Sequence, residues 1–269
     1  MTYSAAELTA LGLTLPPTQA DLPYDDGAPM ESQRHQLQME LLLDGLRLWL
    51  EGREDGFVGG NMFVYYSLAQ VRNRDFKEKH SEPLLSSGKA EAVQSIFGPD
   101  VFVALGVPKG ERRSWVCWEE DKTPDVVIEL LSKSTIAADK GEKKQIYQDR
   151  MHVPEYFWYD PFNPTDWEGF QLVRGTYQPI AADDQGRRMS ELLGLLLVPV
   201  VGTYKGVEAT WLRWATSEGD LLPTDAERAE QQAAIAIARN LLTMGLEPAQ
   251  VAQATGLTAD QIASISLEG

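Results

Sequence analysis

Apolar residues in 31–51, ESQRHQLQMELLLDGLRLWLE, recur at helical spacing. Leu37, Leu41, Asp44 and Leu48 share one stripe that further leucines widen, which predicts a helix packed on a core and stopped at Gly52. The run from Phe57 to Tyr66 predicts a strand, and VRNRDFKEKH leads away from it along a polar path. Residues 89–97 suit either a short strand or a helix. After Gly98 and Pro99, DVFVAL reads as a compact apolar strand, and DVVIELL as a second one beyond the charged loop ERRSWVCWEEDKTP. Two continuous apolar strands predict a sheet covered on both faces. IAADKGEKKQIYQDR follows a Ser/Thr cap as a helix with Asp139, Lys143 and Tyr147 recurring every four residues. VPEYFWYDP resumes strand character, and three later stretches, QLVRGTYQPI, RRMSELLGLLLVPVV and TYKGVEATWLRWAT, read as hairpin strands separated by Gly and Asp. The middle of the chain is therefore a mixed α/β domain.

The ends differ from this middle. Residues 1–30 hold four prolines among Asp and Gly clusters and read as an extended lead-in with one helical turn near 4–11. The domain then occupies 31–222, and from Pro223 the composition switches to strong helix formers such as AERAEQQAAIAIARNLLTMG. The last stretch outlines a helix, a Gly-containing turn and a second helix capped by Thr258, so 223–269 is a helical appendage of helix-turn-helix outline.

Composition narrows the function. The chain carries 24 basic against 40 acidic residues, a net charge of −16, which disfavours broad non-specific nucleic-acid binding. A local basic cluster or a bound cation reverses that field at one site, so a nuclease is not excluded. One cysteine permits no intrachain disulfide, and the N-terminus lacks a signal-peptide pattern, so a cytoplasmic location is expected. The longest apolar run, 192–202, is too short to span a membrane and contains Pro199, which reads as core strand and loop with no membrane partner.

Candidate chemistry lies in DVVIELL and its neighbours. A period of two puts Asp125, Val127, Glu129 and Leu131 on one face, so a carboxylate interrupts a core strand. A buried Glu must be paired or hold a metal. Asp100, at the mouth of the neighbouring strand, offers a second carboxylate, and together the two suit a Mg²⁺ or Mn²⁺ ion that keeps waters and a phosphate. Lys143 would point an ammonium at that phosphate or at the attacking water, with Asp139 or Tyr147 holding it in place. The same residues also suit a purely structural ion network in a binding or scaffolding module. Arg112 and Arg113 form the best local basic patch, with Trp115 and Trp118 beside them as candidates for stacking on bases or for a partner surface. Ser86 to Lys89 spell Ser-x-x-Lys without the rest of a β-lactamase signature, and no Walker loop, paired Cys-x-x-Cys or His-Glu-x-x-His is present.

GPDVFVAL, PDVVIELLSKST, DKGEKKQIY and VPEYFWYDP resemble, in order and spacing, the Uma family of restriction-endonuclease-like proteins over roughly residues 30–224. Asp100, Glu129, Ser132, Ser134, Thr135, Asp139, Lys143, Tyr147, Glu155, Tyr156, Asp160 and Pro161 carry the resemblance. It implies a restriction-endonuclease-like mixed central sheet flanked by helices. It further implies a PD-(D/E)XK type of DNA-cutting chemistry in which two acids bind Mg²⁺ and a lysine assists. The common lysine position holds Leu131, and Lys143 on the helix replaces it. Lys133 stands where the family's turn has proline, a change that either alters the turn or adds a phosphate contact. By the same resemblance His35 and Glu40 on the first helix are supporting residues, His35 fitting a satisfied helix-surface histidine as well. The tail resembles the C-terminal segment of some transposase-associated nucleases, although its poverty in Lys and Arg favours a structural or pairing role. Cutting both strands takes two sites, so a homodimer on DNA is compatible with this reading.

Overall fold

The computed structural model describes residues 16–24, 32–71 and 98–267. The lead-in turn near 4–11, the ambiguous segment 89–97, the Ser86–Lys89 pattern and most of the polar path after Val71 lie outside the described residues. The chain divides into two compact units, Met1–Leu221 and Leu222–Gly269.

The first unit begins with helix α1 (Gln33–Glu51), whose N-cap Ser32 accepts the amide hydrogen of His35. A six-stranded sheet follows, in the order β1-β3-β5-β6-β7-β8: β1 (Phe57–Gly60), β3 (Val101–Ala104), β5 (Val126–Leu130), β6 (Glu155–Tyr159), β7 (Trp167–Val173) and β8 (Thr176–Pro179). Only β5 and β6 pair in parallel; the other neighbours are antiparallel. A parallel pair needs a long crossover, and here a helical stretch supplies it as α2 (Ile136–Ala138), a π-helical segment (Asp139–Lys143) and α3 (Lys144–Asp149). That crossover must lie on one face of the sheet, and the core shows which. Val127 and Leu131 pack in one buried cluster with Tyr147 from the crossover and Tyr156, Trp158 and Phe170 from the neighbouring strands. Alternation along β5 puts Glu129 on this same face.

Helix α1 meets β1, β3 and β5, and also strand β11 (Val207–Ala215) of a second, three-stranded sheet. In that sheet β10 (Leu195–Tyr204) lies between β11 and β9 (Arg188–Ser190). Gln38, fully buried, fastens the helix to it: its amide donates to the Leu212 carbonyl at 2.8 Å and accepts from the Leu212 amide at 3.0 Å, as a neighbouring strand would. Two-residue turns close both hairpins with left-handed residues, Arg174–Gly175 between β7 and β8 and Lys205–Gly206 between β10 and β11.

Three expectations need correction. The strand expected over Phe57–Tyr66 breaks at Asn61 (φ 45°) into β1 and β2 (Val64–Tyr65). ERRSWVCWEED is no plain loop: Trp115–Val116 forms β4, paired in parallel with β2, and Cys117–Glu120 adds a helical turn. The apolar run 192–202 is mostly continuous strand, with Pro199 within it and Val201 exposed.

In the second unit, α4 (Asp225–Thr243) starts at a capping box between Thr224 and Glu227. Helices α5 (Pro248–Thr255) and α6 (Ala259–Leu267) follow, separated by left-handed Gly256. Ala238, Val251, Leu257, Ile262 and Ile265 form its core. No helix among the described residues is long and apolar enough to cross a membrane.

Candidate active site

The register of β3 against β5 pairs Val101 with Ile128, and its continuation by one residue sets Asp100 opposite Glu129. A hydrogen bond fixes the arrangement, because Asp100 Oδ2 accepts the Leu130 amide hydrogen at 2.7 Å. The crossover helix then brings three more groups to Glu129. Lys143 Nζ lies 3.2 Å from Glu129 Oε1 and 2.8 Å from Asp139 Oδ1, and the Tyr147 hydroxyl donates to Glu129 Oε1 at 2.6 Å. The Asp139 carbonyl accepts from Tyr156 OH at 2.9 Å, which ties the helix to β6.

Helix geometry explains why a repeat of four converges here. In a regular α-helix, residues eight apart are rotated by about 80°, so Asp139 and Tyr147 would face different directions. The wider π-helical turn over Asp139–Lys143 absorbs that drift and keeps Asp139, Lys143 and Tyr147 on the face toward Glu129. The entry differs from the expected cap, since Thr135 makes no side-chain cap bond. Ser132 Oγ accepts the Thr135 amide hydrogen instead.

Three carboxyl groups thus share one ammonium. Burial, then repulsion from Glu129, holds Asp100 well above its usual carboxylate range, against the pull of the Leu130 amide and Lys143. Glu129 is 1% exposed and is raised by its burial; Lys143 opposes the shift, Asp139 adds to it, and the Tyr147 hydroxyl opposes it. Burial alone would lower Lys143, but Glu129 and Asp139 outweigh it and raise the ammonium's pKa. Its side chain remains 19% exposed and Asp100 is half-buried, so the cluster opens to solvent on that side.

Among the described residues no group of three His, Cys, Asp or Glu is disposed to hold a metal. The donors present, two carboxyls on neighbouring strands, Asp100 raised by burial and by Glu129 and Glu129 raised by its burial, instead fit a hard cation that prefers oxygen ligands and keeps waters.

The remaining candidates separate. His35 is buried, not at the helix surface: Nε2 faces the Leu131 carbonyl at 2.9 Å, which can only accept, and Nδ1 pairs with Ser32 Oγ at 2.8 Å. It supports the end of β5 just past Glu129. Glu40 does not join the cluster; it pairs with Lys205 at 2.7 Å. Trp115 is fully buried, with its indole N–H on the Lys122 carbonyl, so no base can stack on it. Arg112 is committed to Glu120 at 2.7 Å, with its guanidinium near the Phe57 and Trp115 rings. Trp118 donates to the Pro17 carbonyl. Arg113 and Lys133 are exposed.

Sequence reasoning gave no role to Lys140, whose ammonium meets both oxygens of Asp166 at 2.6 and 2.7 Å, or to Gln38. It also gave none to the buried Glu155, which accepts from Ser190 Oγ and from the Leu192 amide at 3.1 Å. A glutamine amid the leucines of α1 and the place of Glu155 in the family motif are the available signals.

Residues 13–198 match the model of a family described as Uma2, "Putative restriction endonuclease". The chain belongs to the Uma2 family. Beyond this Uma2 region, residues 231–267 match the C-terminal HTH domain of the Rpn/YhgA-like nuclease family. No curated protein matches the chain. A solved structure from Anabaena variabilis ATCC 29413, titled as a "putative nuclease belonging to DUF820", is similar at 11% identity with a TM-score of 0.41, over 71% of this chain and 91% of that one.

Proposed function

We propose that this Uma2 protein is a metal-dependent endonuclease that hydrolyses DNA phosphodiester bonds. The observation that carries the reading is the Lys143 ammonium held between Glu129 and Asp139, beside an Asp100 carboxyl fixed by the Leu130 amide. Asp100 and Glu129 would hold Mg²⁺ or Mn²⁺, which when bound polarises the phosphate and acidifies water. Lys143 stays an ammonium through neutral pH, so its part is to orient water and offset charge gathering on the phosphate, not to act as a base. Asp139 and Tyr147 hold Lys143 and Glu129 in position. Water attacks phosphorus in line with the departing oxygen, one P–O bond forming as the other breaks, with the water's proton passing to solvent and the departing oxygen taking a proton from solvent.

Supercoiled plasmid incubated with the full chain and Mn²⁺ tests this. Wild type nicks or linearises the plasmid and Lys143→Ala does not; identical untouched DNA from both defeats the enzymatic reading. The rival is a non-catalytic nuclease fold in which the same ions serve structure, favoured by Lys143 being bonded to two carboxylates. Calorimetric titration with Mn²⁺ separates them, since a scaffold shows no site that vanishes in Glu129→Ala.

DNA is the proposed partner of the nuclease unit. The helical unit holds six acidic residues against Arg228 and Arg239, so phosphate contact from it is weak and a pairing role fits better. A homodimer would supply two sites for two strands, which sedimentation of the full chain at rising concentration tests. The lone, partly buried Cys117 suits a reducing cytoplasm, a location that cell fractionation checks.

A further inference from the structure

Strands β5 and β6 run in parallel, and their carboxyl ends are joined by the Leu131 amide on the Tyr159 carbonyl. Just past that junction Phe162 stands 58% exposed. Its turn is fastened from several sides. Asp160 Oδ1 accepts the amide hydrogens of Phe162 and Asn163 at 2.8 and 3.0 Å, and the Asp160 and Asp166 backbones close on each other and on Asn163. Lys140 grips Asp166 from the π-helical segment that also carries Lys143. On the protein side the ring meets the Arg34 guanidinium at 4.6 Å and the His35 ring at 5.6 Å, and Arg34 reaches the Pro161 carbonyl. A lone exposed aromatic is ordinary. An aromatic clamped by an Asx turn, backed by a cation and left open to water is a prepared flat surface.

We infer that Phe162, backed by Arg34, is a stacking platform for an unstacked nucleobase of the strand being cut, so that the preferred substrate presents single-stranded nucleic acid at the site. The inference rests on the proposed nuclease function and adds to it the class of substrate. Position supports it: His35 links the ring to the Leu131 carbonyl, two residues beyond Glu129. The path along two strand residues and these contacts is at most about 15 Å long, so the ring lies within about four to five nucleotides of Glu129 at ~3.4 Å each. Charge supports it as well. A chain of net charge −16 gains little from phosphate attraction, whereas stacking draws on the face that every base has and does not depend on charge.

Fluorescence anisotropy of the full chain with a labelled single-stranded DNA oligonucleotide, and with the blunt duplex of the same sequence, tests the platform. Phe162→Ala should weaken single-strand binding about tenfold, Phe162→Trp should restore it, and duplex affinity and the salt dependence of binding should stay unchanged. Single-strand affinity unaltered by Phe162→Ala, or an equal loss on duplex, overturns the platform. If that happens while plasmid cutting still depends on Lys143, the inference falls alone. If the wild-type chain binds neither oligonucleotide and cuts no plasmid, the nuclease reading falls with it.

Discussion

The two ends of the β3–β5 ladder are built alike and behave differently. At one end Asp100 accepts the Leu130 amide hydrogen; at the other Asp125 accepts the Leu105 amide hydrogen at 2.6 Å. Each carboxylate stitches one strand to the next. Asp125 also has its own cation, Lys122 at 3.1 Å, partly exposed to water. Asp100 has instead two further acids and a single shared lysine, and burial with repulsion from Glu129 raises its pKa. A backbone clamp becomes a chemical group when the charge around it is left short of compensation.

The largest expected effect breaks the comparison at its lysines. Lys143→Ala should lower plasmid cutting by at least about 10²-fold, whereas Lys122→Ala should leave it intact, both read on gels with Mn²⁺. Equal activity of the two variants would erase the distinction between the ends. A smaller effect is expected in stability. Asp100→Asn keeps an oxygen for the Leu130 amide and removes a group whose charged form burial and Glu129 disfavour, so it should abolish cutting yet raise the urea midpoint slightly. Asp125→Asn should keep cutting and lose up to about 1 kcal/mol with its ion pair. Urea midpoints of the two variants, moving in opposite directions, check this.

The smallest effect uses a buried acid at neither end. Burial raises the Glu155 carboxyl above its usual range, against hydrogen bonds from Ser190 and Leu192. Its native form therefore holds its proton to higher pH than its unfolded form. Glu155's contribution is full below the unfolded value and declines as pH rises toward the native one. Glu155→Gln should shrink that decline in pH-dependent urea unfolding and leave cutting unchanged. An unaltered slope would contradict the assignment.

The sequence made some of this plain. A Glu within VVIEL, all five residues buried, announces a carboxylate in need of partners, and the spacing of Asp139, Lys143 and Tyr147 announces one helix face. What stayed hidden depends on distant neighbours. Nothing near Trp115 shows that a strand 51 residues earlier, at Val64–Tyr65, pairs with it and draws it into the core. Glu40 sits one turn and a fraction beyond His35, yet the Lys205 hairpin takes it away from the site. Gln38 could be flagged as a polar residue among leucines, but not that its partner would be the backbone of Leu212. Local periodicity reports on the face of an element; it carries no information about which element covers that face.

The π-helical turn has a consequence for variation in chain length. Removing one residue between Asp139 and Lys143, Gly141 being the least encumbered since a Cβ there would meet nothing within 4 Å, leaves every acid and amine in the protein. By the same count it would leave Asp139 and Tyr147 seven residues apart, about 20° around a regular α-helix, so both would still face Glu129. Plasmid cutting should survive that deletion, whereas adding one residue, which turns Asp139 a further ~100° away, should abolish it with the helix still visible by circular dichroism. In this segment a single-codon insertion is expected to be more damaging than a deletion, because the π-helical turn already carries the one residue that a regular helix would shed.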